Sequence, residues 1–453
     1  TIPARELADI VDNIGRPVSG INLTYGNSGT IGSGDADILI SLTANHAPSA
    51  QYVRRLRARL PQAFPGVSFA FLPADIVSQI LNFGLPAPID VQIVGASPLN
   101  RDVANRLLAS LRQVPGLVDL RMQQTFNQPE LRVVTDRGRA MQLGISQRDI
   151  ASNLLLTLSG SGQIAPAFWL NPETGVQYPI VTQAPQYRMA SLDDLQNVPI
   201  SVAGQSQILG AVASVARGAG PGVISRYDAQ AVIDLFGAVQ GRDLGGVATD
   251  IRRIIAAQEG TLPKGTRIVA RGQMQTMAAS YTGLLVGLVG AILLIYLLIV
   301  INFQSWLDPF IIISALPAAI AGIAWMLLLT GTTLSVPALT GAIMCMGVAT
   351  ANSILLVSFA RERMNAGASA LQAALDAGFT RFRPVLMTAL AMIIGMLPMA
   401  MSLGEGGEQN APLGRAVIGG LLFATLATLL FVPTLFAALH GRDRSGAAAQ
   451  PPE

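Results

Sequence analysis

The chain has 453 residues and a net charge of +3, with 51% hydrophobic and only 13% charged residues. A soluble domain carries about 25% charged residues, so these averages point toward lipid, and no cluster of basic residues interleaved with aromatics suggests nucleic acid. The charge is also uneven: from Gly272 to Ala360 the only formal charge is Asp308. Length alone suggests two to four domains. Cys345, the single cysteine, sits in an apolar run and cannot form an internal disulfide. The chain begins at Thr1 without Met or a signal-peptide pattern, which gives the expectation of a fragment.

Residues 1–275 repeat one unit. Strand patterns at Ala36–Ser41 and Ile89–Ile93 precede helical stretches that end in a Pro/Gly turn and run into a new strand. This happens in YVRRLRARLPQAFPGVSFAF (52–71), ANRLLASLRQVPGLVDLRM (104–122) and TDIRRIIAAQEGTLPKGTRIVA (249–270). Helical spacing (Val103, Leu107, Leu108, Leu111) gives way to period-two alternation, as at Val67, Phe69 and Phe71. Such strand–helix–strand units predict ferredoxin-like α+β modules. Between Asp136 and Gly218 the texture changes: a short helix at Ser146–Leu156, the glycine segment Ser159–Gly162, and a strand in VQYPIVTQA (176–184). This reads as an insertion that splits one module.

Nothing in this region looks catalytic. His46 and His440 are the only histidines, and there is no Cys/His metal spacing, nucleophile elbow, P-loop or H-E-x-x-H motif. No cofactor or metal site is expected.

Five segments have the roughly 20 apolar residues needed to cross a bilayer: Thr282–Ile301, Pro309–Leu329, Val336–Ala360, Pro384–Leu403 and Ala416–Leu439. None contains Asp, Glu, Lys or Arg. The flanking arginines set the orientation. Arg361, Arg363, Arg381 and Arg383 fall between the third and fourth spans, and Arg442 and Arg444 in the tail; the loop Gly404–Pro412 has only Glu405 and Glu408. Residues 1–275 are therefore expected outside the cytoplasm and 441–453 inside it, with Arg415 the one counter-example. Leu371, Ala374, Leu375, Gly378 and Phe379 predict a separate amphipathic helix on the cytoplasmic surface. Gly283, Gly287 and Gly290, and Ala318 with Gly322, read either as close helix contacts or as chance in a glycine-rich chain.

Several long strings resemble the C-terminal half of RND (resistance–nodulation–division) efflux pumps, the hydrophobe/amphiphile exporters of Gram-negative bacteria. NFQSWLDPF (302–310) resembles the family's junction between its eighth and ninth spans. ALTGAIMCMGVATANSILLVSFARE (338–362) resembles the tenth span, RFRPVLMTALAMIIGMLPMA (381–400) the eleventh, and GEGGEQNAPLGRAVIGG (404–420) the loop into the twelfth. The resemblance implies a membrane all-α bundle of five C-terminal transmembrane helices, preceded by an α+β extracytoplasmic region of ferredoxin-like porter modules with a docking insertion. It implies a truncated first module at 1–88, a second at 89–134 and 218–272, the insertion at 135–217, and the transmembrane domain at 273–440.

By the same resemblance, Asn352, Arg381 and Thr388 fall where the family keeps members of a proton-relay network. Ala351 stands where multidrug members usually place a lysine. Hydrogen bonding between helices would also account for Asn352 and Thr388, and a cytoplasmic anchor for Arg381. Tyr25 and the glycine loop with Gly26, Gly29 and Gly32 match the family's substrate-contacting switch region; a plain hairpin would read the same. The implied protein is an inner-membrane homotrimer that uses inward proton flow, a periplasmic adaptor and an outer-membrane channel to expel amphipathic small molecules, and is not an enzyme. Alternatives are export of metal ions or lipids, with Met344, Met346, Met392, Met396, Met399 and Met401 as soft ligands rather than packing, or a non-transporting accessory or receptor.

Overall fold

The computed structural model describes residues 1–15, 32, 34–72, 76–82, 84–202, 205–402 and 407–447. Strands β1 (Leu7–Ile14) and β2 (Ala36–Leu42) pair antiparallel, with Ile10 opposite Ile40 and Val11 opposite Leu39. These apolar side chains stay largely exposed, the condition of a two-stranded sheet that has no further layer over it. Helix α1 (Ser49–Ala63) follows, tied to the chain start by the Tyr52 hydroxyl, which donates to the Glu6 carboxylate. The strand expected at Val67–Phe71 does not form. No strand edge pairs with it among the described residues, and the Phe71 N–H bonds the Asp119 carboxylate at 3.1 Å instead.

Alternation in Ile89–Val94 makes strand β3, whose Ile89, Val91 and Ile93 are buried under two helices. Helix α2 (Asn100–Leu111) leads into β4 (Leu117–Met122). The chain then leaves this layer through β5 (Gln128–Thr135), α3 (Gln147–Ser159), the hairpins β6–β7 (Ala167–Leu170, Gln177–Ile180) and β8–β9 (Pro199–Val202, Gln205–Ile208), and β10 (Ala213–Gly220). It returns through β11 (Ser225–Tyr227), β12 (Gln230–Val239), α4 (Leu244–Glu259) and β13 (Arg267–Gly272). The sheet runs β4–β12–β3–β13, all antiparallel, with β11 also on β12.

Val103, Leu107 and Leu111 of α2 and Val247, Ile251 and Ile255 of α4 share one core with the β3 residues. Each such buried aliphatic contributes about 1.5–3 kcal/mol relative to exposure. The excursion has its own core around Ile150, Val198, Ile200, Leu209 and Val212, and β5 and β10 close it as an antiparallel pair. Ser146 caps α3 in a reciprocal box with Asp149, so the helix expected from Ser146 starts one residue later.

Among the described residues, five helices are long and apolar enough to cross a membrane. The first is α5 (Gln273–Phe303); its Met274 joins the sheet's core and its Gln273 N–H bonds Pro88 O at 2.8 Å, fixing the span to the layer above. The second is broken into α6 (Leu307–Ile313) and α7 (Leu316–Leu329). The third is α8 (Val336–Asn365) and the fourth α9 (Ala370–Ala400). The fifth runs from α10 (Gly407–Leu426) through a π turn (Ala427–Phe431) into α11 (Val432–Ala447).

The separate surface helix expected at 371–379 is thus the first part of α9. The helix passes through Pro384, whose missing N–H removes one bond but does not end a helix packed against neighbours. At the crossing of α7 and α10, a Cβ on Gly322 would strike Gly419 O, so this small-residue contact is realised. Gly283, Gly287 and Gly290 have nothing within 4 Å where a Cβ would sit. Asp308, expected just outside a span at 309–329, lies within the second span, near the start of α6, and is only 1% exposed.

Candidate functional site

The side chains matched to a proton relay sit on α8 and α9. Asn352 is buried on α8 at 9% exposure and makes no hydrogen bond among the described residues. One step back, Ala351 belongs to an outward stripe with Gly347, Leu355 and Ser358. Thr388 is exposed on α9 beside Met387, and its hydroxyl donates to Val385 O at 2.9 Å in its own helix. The Arg381 guanidinium lies over the Phe359 ring at 5.4 Å, and its buried Nε has no hydrogen-bond partner. No hydrogen bond joins the three residues. Only Thr388 of the three faces outward; it does so on α9, and Ala351 does so on the neighbouring α8, while α5 and α9 are the spans with least of their surface covered. Deeper in the bundle, Ser353 and Thr428 bond each other at 3.2 Å between α8 and the π turn.

A second constellation joins α1 to the sheet. Arg57 forms a two-pronged ion pair with Asp119, Nε to Oδ1 at 2.7 Å and Nη2 to Oδ2 at 2.6 Å. Its Nη1 donates to Gln240 Oε1, and its plane lies over the Phe71 ring at 5.0 Å. Asp119 takes φ 54° to present the carboxylate, a left-handed conformation unusual for a residue other than glycine. Val53, Arg54, Arg57, Phe71 and Gln240 line a cleft of about 400 Å³ here. Sequence reading missed this pair; an Arg and an Asp on separate units carry no local pattern that would join them.

The helix-free face of the sheet holds a third polar group. Asp90 is fully buried, and neither carboxylate oxygen accepts a hydrogen bond among the described residues. Burial, and then the neighbouring Asp234, push its carboxyl up to about 8. Asp234, also raised by burial, accepts from Gln92 Nε2 at 3.0 Å and Gln124 Nε2 at 2.5 Å. Across the rung from Asp90, Arg271 lies over the Tyr227 ring at 3.7 Å, its Nε unpaired. A carboxyl so placed stays protonated at neutral pH and can keep or give up a proton there. Sequence reading takes Ile89–Ile93 as a strand and does not single out Asp90 or its burial.

Of the substrate-loop candidates, Tyr25, Gly26 and Gly29 lie outside the described residues. Gly32 is buried, its N–H donating to Asp35 Oδ2 at 2.8 Å. A Cβ there would collide with the Gln128 side chain, so the loop's end is pressed against the start of β5.

Comparison with known proteins places this architecture. The chain is 29% identical over 396 residues to the cobalt-zinc-cadmium resistance protein CzcA of Cupriavidus metallidurans, covering 86% of this chain and 37% of that protein. It is 31% identical to the nickel-cobalt-cadmium resistance protein NccA of Alcaligenes xylosoxydans xylosoxydans over 78% of this chain and 33% of the relative. It is 28% identical to the multidrug resistance protein MdtC of Proteus mirabilis over 92% and 40%. The crystal structure of a heavy metal efflux pump superposes with a TM-score of 0.76 at 24% identity, covering 96% of this chain and 43% of that one. The chain therefore spans roughly two fifths of the length of these relatives. The pattern of the AcrB/AcrD/AcrF family matches residues 18–440, and the chain belongs to that family of RND permeases.

Proposed function

We propose that the chain is the C-terminal half of the permease subunit of a proton-driven efflux pump that expels amphipathic small molecules. The observation that carries this reading is the outward face of the bundle. Ala351 of α8 and the polar Thr388 of α9 point outward, Asn352 is buried next to Ala351 in the chain, and no carboxylate among the described residues bonds Asn352 or Thr388. A proton-coupled transporter needs an intramembrane group that changes protonation, and a face of this kind suits docking against another set of spans that carries it. The chain's share of its relatives' length leaves room for such a set.

In this reading β3–α2–β4 with β12–α4–β13 is the second, ferredoxin-like porter module, split by a docking insertion between β5 and β10. Residues 1–88 belong to the first module, and the cleft closed by Arg57 and Asp119 lies between the two on the substrate's way. Residues 1–275 are periplasmic, the tail is cytoplasmic, and three copies work with a periplasmic adaptor and an outer-membrane channel.

The test is Thr388→Ala in the full-length pump, which is expected to abolish export while the trimer still assembles; unchanged export removes Thr388 from the relay. A cysteine placed in residues 1–275 should label only from outside the cytoplasm, and labelling from within would overturn the orientation. Vesicles holding this chain alone should transport nothing.

A second substrate reading, divalent metal cations, is favoured by the names of CzcA and NccA. Expression of the full-length protein in a host stripped of its own pumps separates the two. Raised tolerance to amphiphilic dyes and detergents supports the first; raised tolerance to cobalt, zinc, cadmium or nickel alone supports the second.

A further inference from the structure

Three spans bring charged side chains to one point at the end of the bundle remote from the sheets. Asp308 of α6 is 1% exposed. Its Oδ2 lies 3.1 Å from Arg361 Nη1 of α8, and its Oδ1 lies 3.4 Å from His440 Nε2 of α11. Arg361 Nη1 also donates to Phe303 O, the last residue of α5, at 2.7 Å. Three helices therefore meet on one carboxylate, and Arg361 ties a fourth, α5, to the group. A hydrophobic cluster with Ile312, Val357 and Phe436 surrounds the point and keeps water back.

The His440 imidazole has two polar neighbours. The ring is stacked on Phe436 at 4.3 Å, and Nδ1 lies 3.3 Å from Phe436 O, which can only accept. The Nε2 nitrogen faces the Asp308 carboxylate, which in its ionised form also only accepts. Asp308 Oδ1 is buried and accepts no hydrogen bond among the described residues. What joins it to His440 across 3.4 Å is therefore charge: the imidazolium is a counter-charge, the neutral ring is not, and loss of the ring proton leaves this side of the carboxylate unbalanced.

Among the described residues, the other charged side chains near this end lie apart from the three. Arg363 of α8 pairs with Asp376 of α9 at 3.8 Å, Arg381 of α9 lies over Phe359, and Glu362 and Arg383 are exposed.

We propose that Asp308, Arg361 and His440 form a proton-gated clasp. The His440 imidazolium binds one proton and holds the end of the fifth span to Asp308. When the proton leaves, that end comes free while Arg361 keeps α6, α8 and α5 together. The π turn Ala427–Phe431, one stretch above in the same span, gives the released segment a place to turn, since such turns carry one residue more than the α-helical ladder needs. Placing the clasp on the cytoplasmic side rests on the orientation proposed above; the clasp itself does not.

The experiment is distance measurement between spin labels at Phe310 and Ala438 in the full-length protein in nanodiscs, both positions being exposed. Histidine changes charge across the physiological range. A longer-distance population should therefore grow several-fold between about pH 5.5 and about pH 8.5 in the otherwise native protein. In His440→Ala and in His440→Gln, neither of which carries a charge, it should be present at every pH. A distribution indifferent to pH in the native sequence, or a His440→Gln variant that follows pH as the native one does, overturns the clasp. Neither result depends on transport or on sidedness, which the cysteine labelling tests separately.

Discussion

The sheet layer and the helix bundle each bury one aspartate almost completely, and they deal with it in opposite ways. Asp90 has two orphan oxygens, a second carboxyl in Asp234 nearby, and a carboxyl pushed up to about 8, so at neutral pH it is kept neutral by its own proton. Asp308 instead has Arg361 at 3.1 Å and His440 at 3.4 Å, so its charge is balanced from outside. Burial of an ionised carboxylate in a low-dielectric interior is too costly to leave uncorrected. The proton answers it where no cation is at hand, and a counter-charge answers it where three spans can each bring a side chain. The two regions should therefore differ in what unbalances them: at Asp90 the loss of the carboxyl's own proton, at Asp308 the loss of a partner's charge.

The largest expected effect belongs to Asp90. Its folded carboxyl titrates at about 8 against an ordinary 3.8, so the folded layer holds a proton that the unfolded chain gives up. The stability this proton contributes is complete below about pH 4, erodes as pH rises through the window, and is gone above about 8, with an upper limit on the order of 5 kcal/mol. Asp90→Asn, neutral at every pH, should remove that slope whatever constant cost the amide adds. Unfolding of the detergent-solubilised protein followed from about pH 5 to about pH 8.5 measures it. Equal slopes in both proteins would mean that Asp90 is ionised in the folded state and that the contrast with Asp308 fails.

The elements themselves were largely legible because each rests on local periodicity. Each of the five apolar runs falls largely within a long helix, though the helices of the first, fourth and fifth begin nine to fourteen residues earlier than the run. The two helices over β3 and the capped helix at Ser146 appear where the pattern puts them. The failures have two physical sources. A search for charge-free spans trims any charged residue from an end, so the bounds 309–329 and 416–439 stop one residue short of Asp308 and His440, the pair that closes the bundle. The same reasoning divided α9 at Arg381, Arg383 and Pro384, although the helix is continuous. Second, a pattern within one strand does not report what covers it. Asp90 and Gln92 alternate as a solvent-facing row would and are buried, while Val67–Phe71 alternates as a strand and finds no edge. Asn352, Arg381 and Thr388 were found by resemblance, and no bond in this chain would have joined them.

The next effect tests the counter-charge in the bundle. Arg361→Ala leaves Asp308 with His440 alone and frees Phe303 O from its donor. Removing one partner of a buried pair is expected to cost about 3 kcal/mol, less than a fully enclosed pair because the guanidinium is partly exposed. Replacing both, Asp308→Asn with Arg361→Gln, should recover most of that loss, since no unbalanced charge remains. Thermal unfolding of the single and double variants at one pH decides it. A double variant as unstable as the single one would show that Arg361 acts through packing on Phe303 rather than through charge.

The smallest expected effect lies where α1 meets the sheet. The Arg57–Asp119 fork has partners 18% and 3% exposed, so it is neither a surface pair nor an enclosed one. Lysine reaches the same place with a point charge and cannot make two parallel bonds. Arg57→Lys should cost about 1 kcal/mol, with a similar loss of the donor to Gln240 included. Position 119 carries a second contribution, because φ 54° is a conformation that Asn adopts more readily than Ala. Asp119→Asn should therefore be milder than Asp119→Ala by roughly another 1 kcal/mol, while both lose the ion pair. Denaturant titration of the three variants resolves differences of this size when the slopes agree. If Asn and Ala prove equal at 119, the backbone there is not held against its preference, and the carboxylate alone accounts for the residue. If Arg57→Lys proves silent, the cleft is held shut by the apolar contact of Arg57 with Phe71, and it needs no broken ion pair to open.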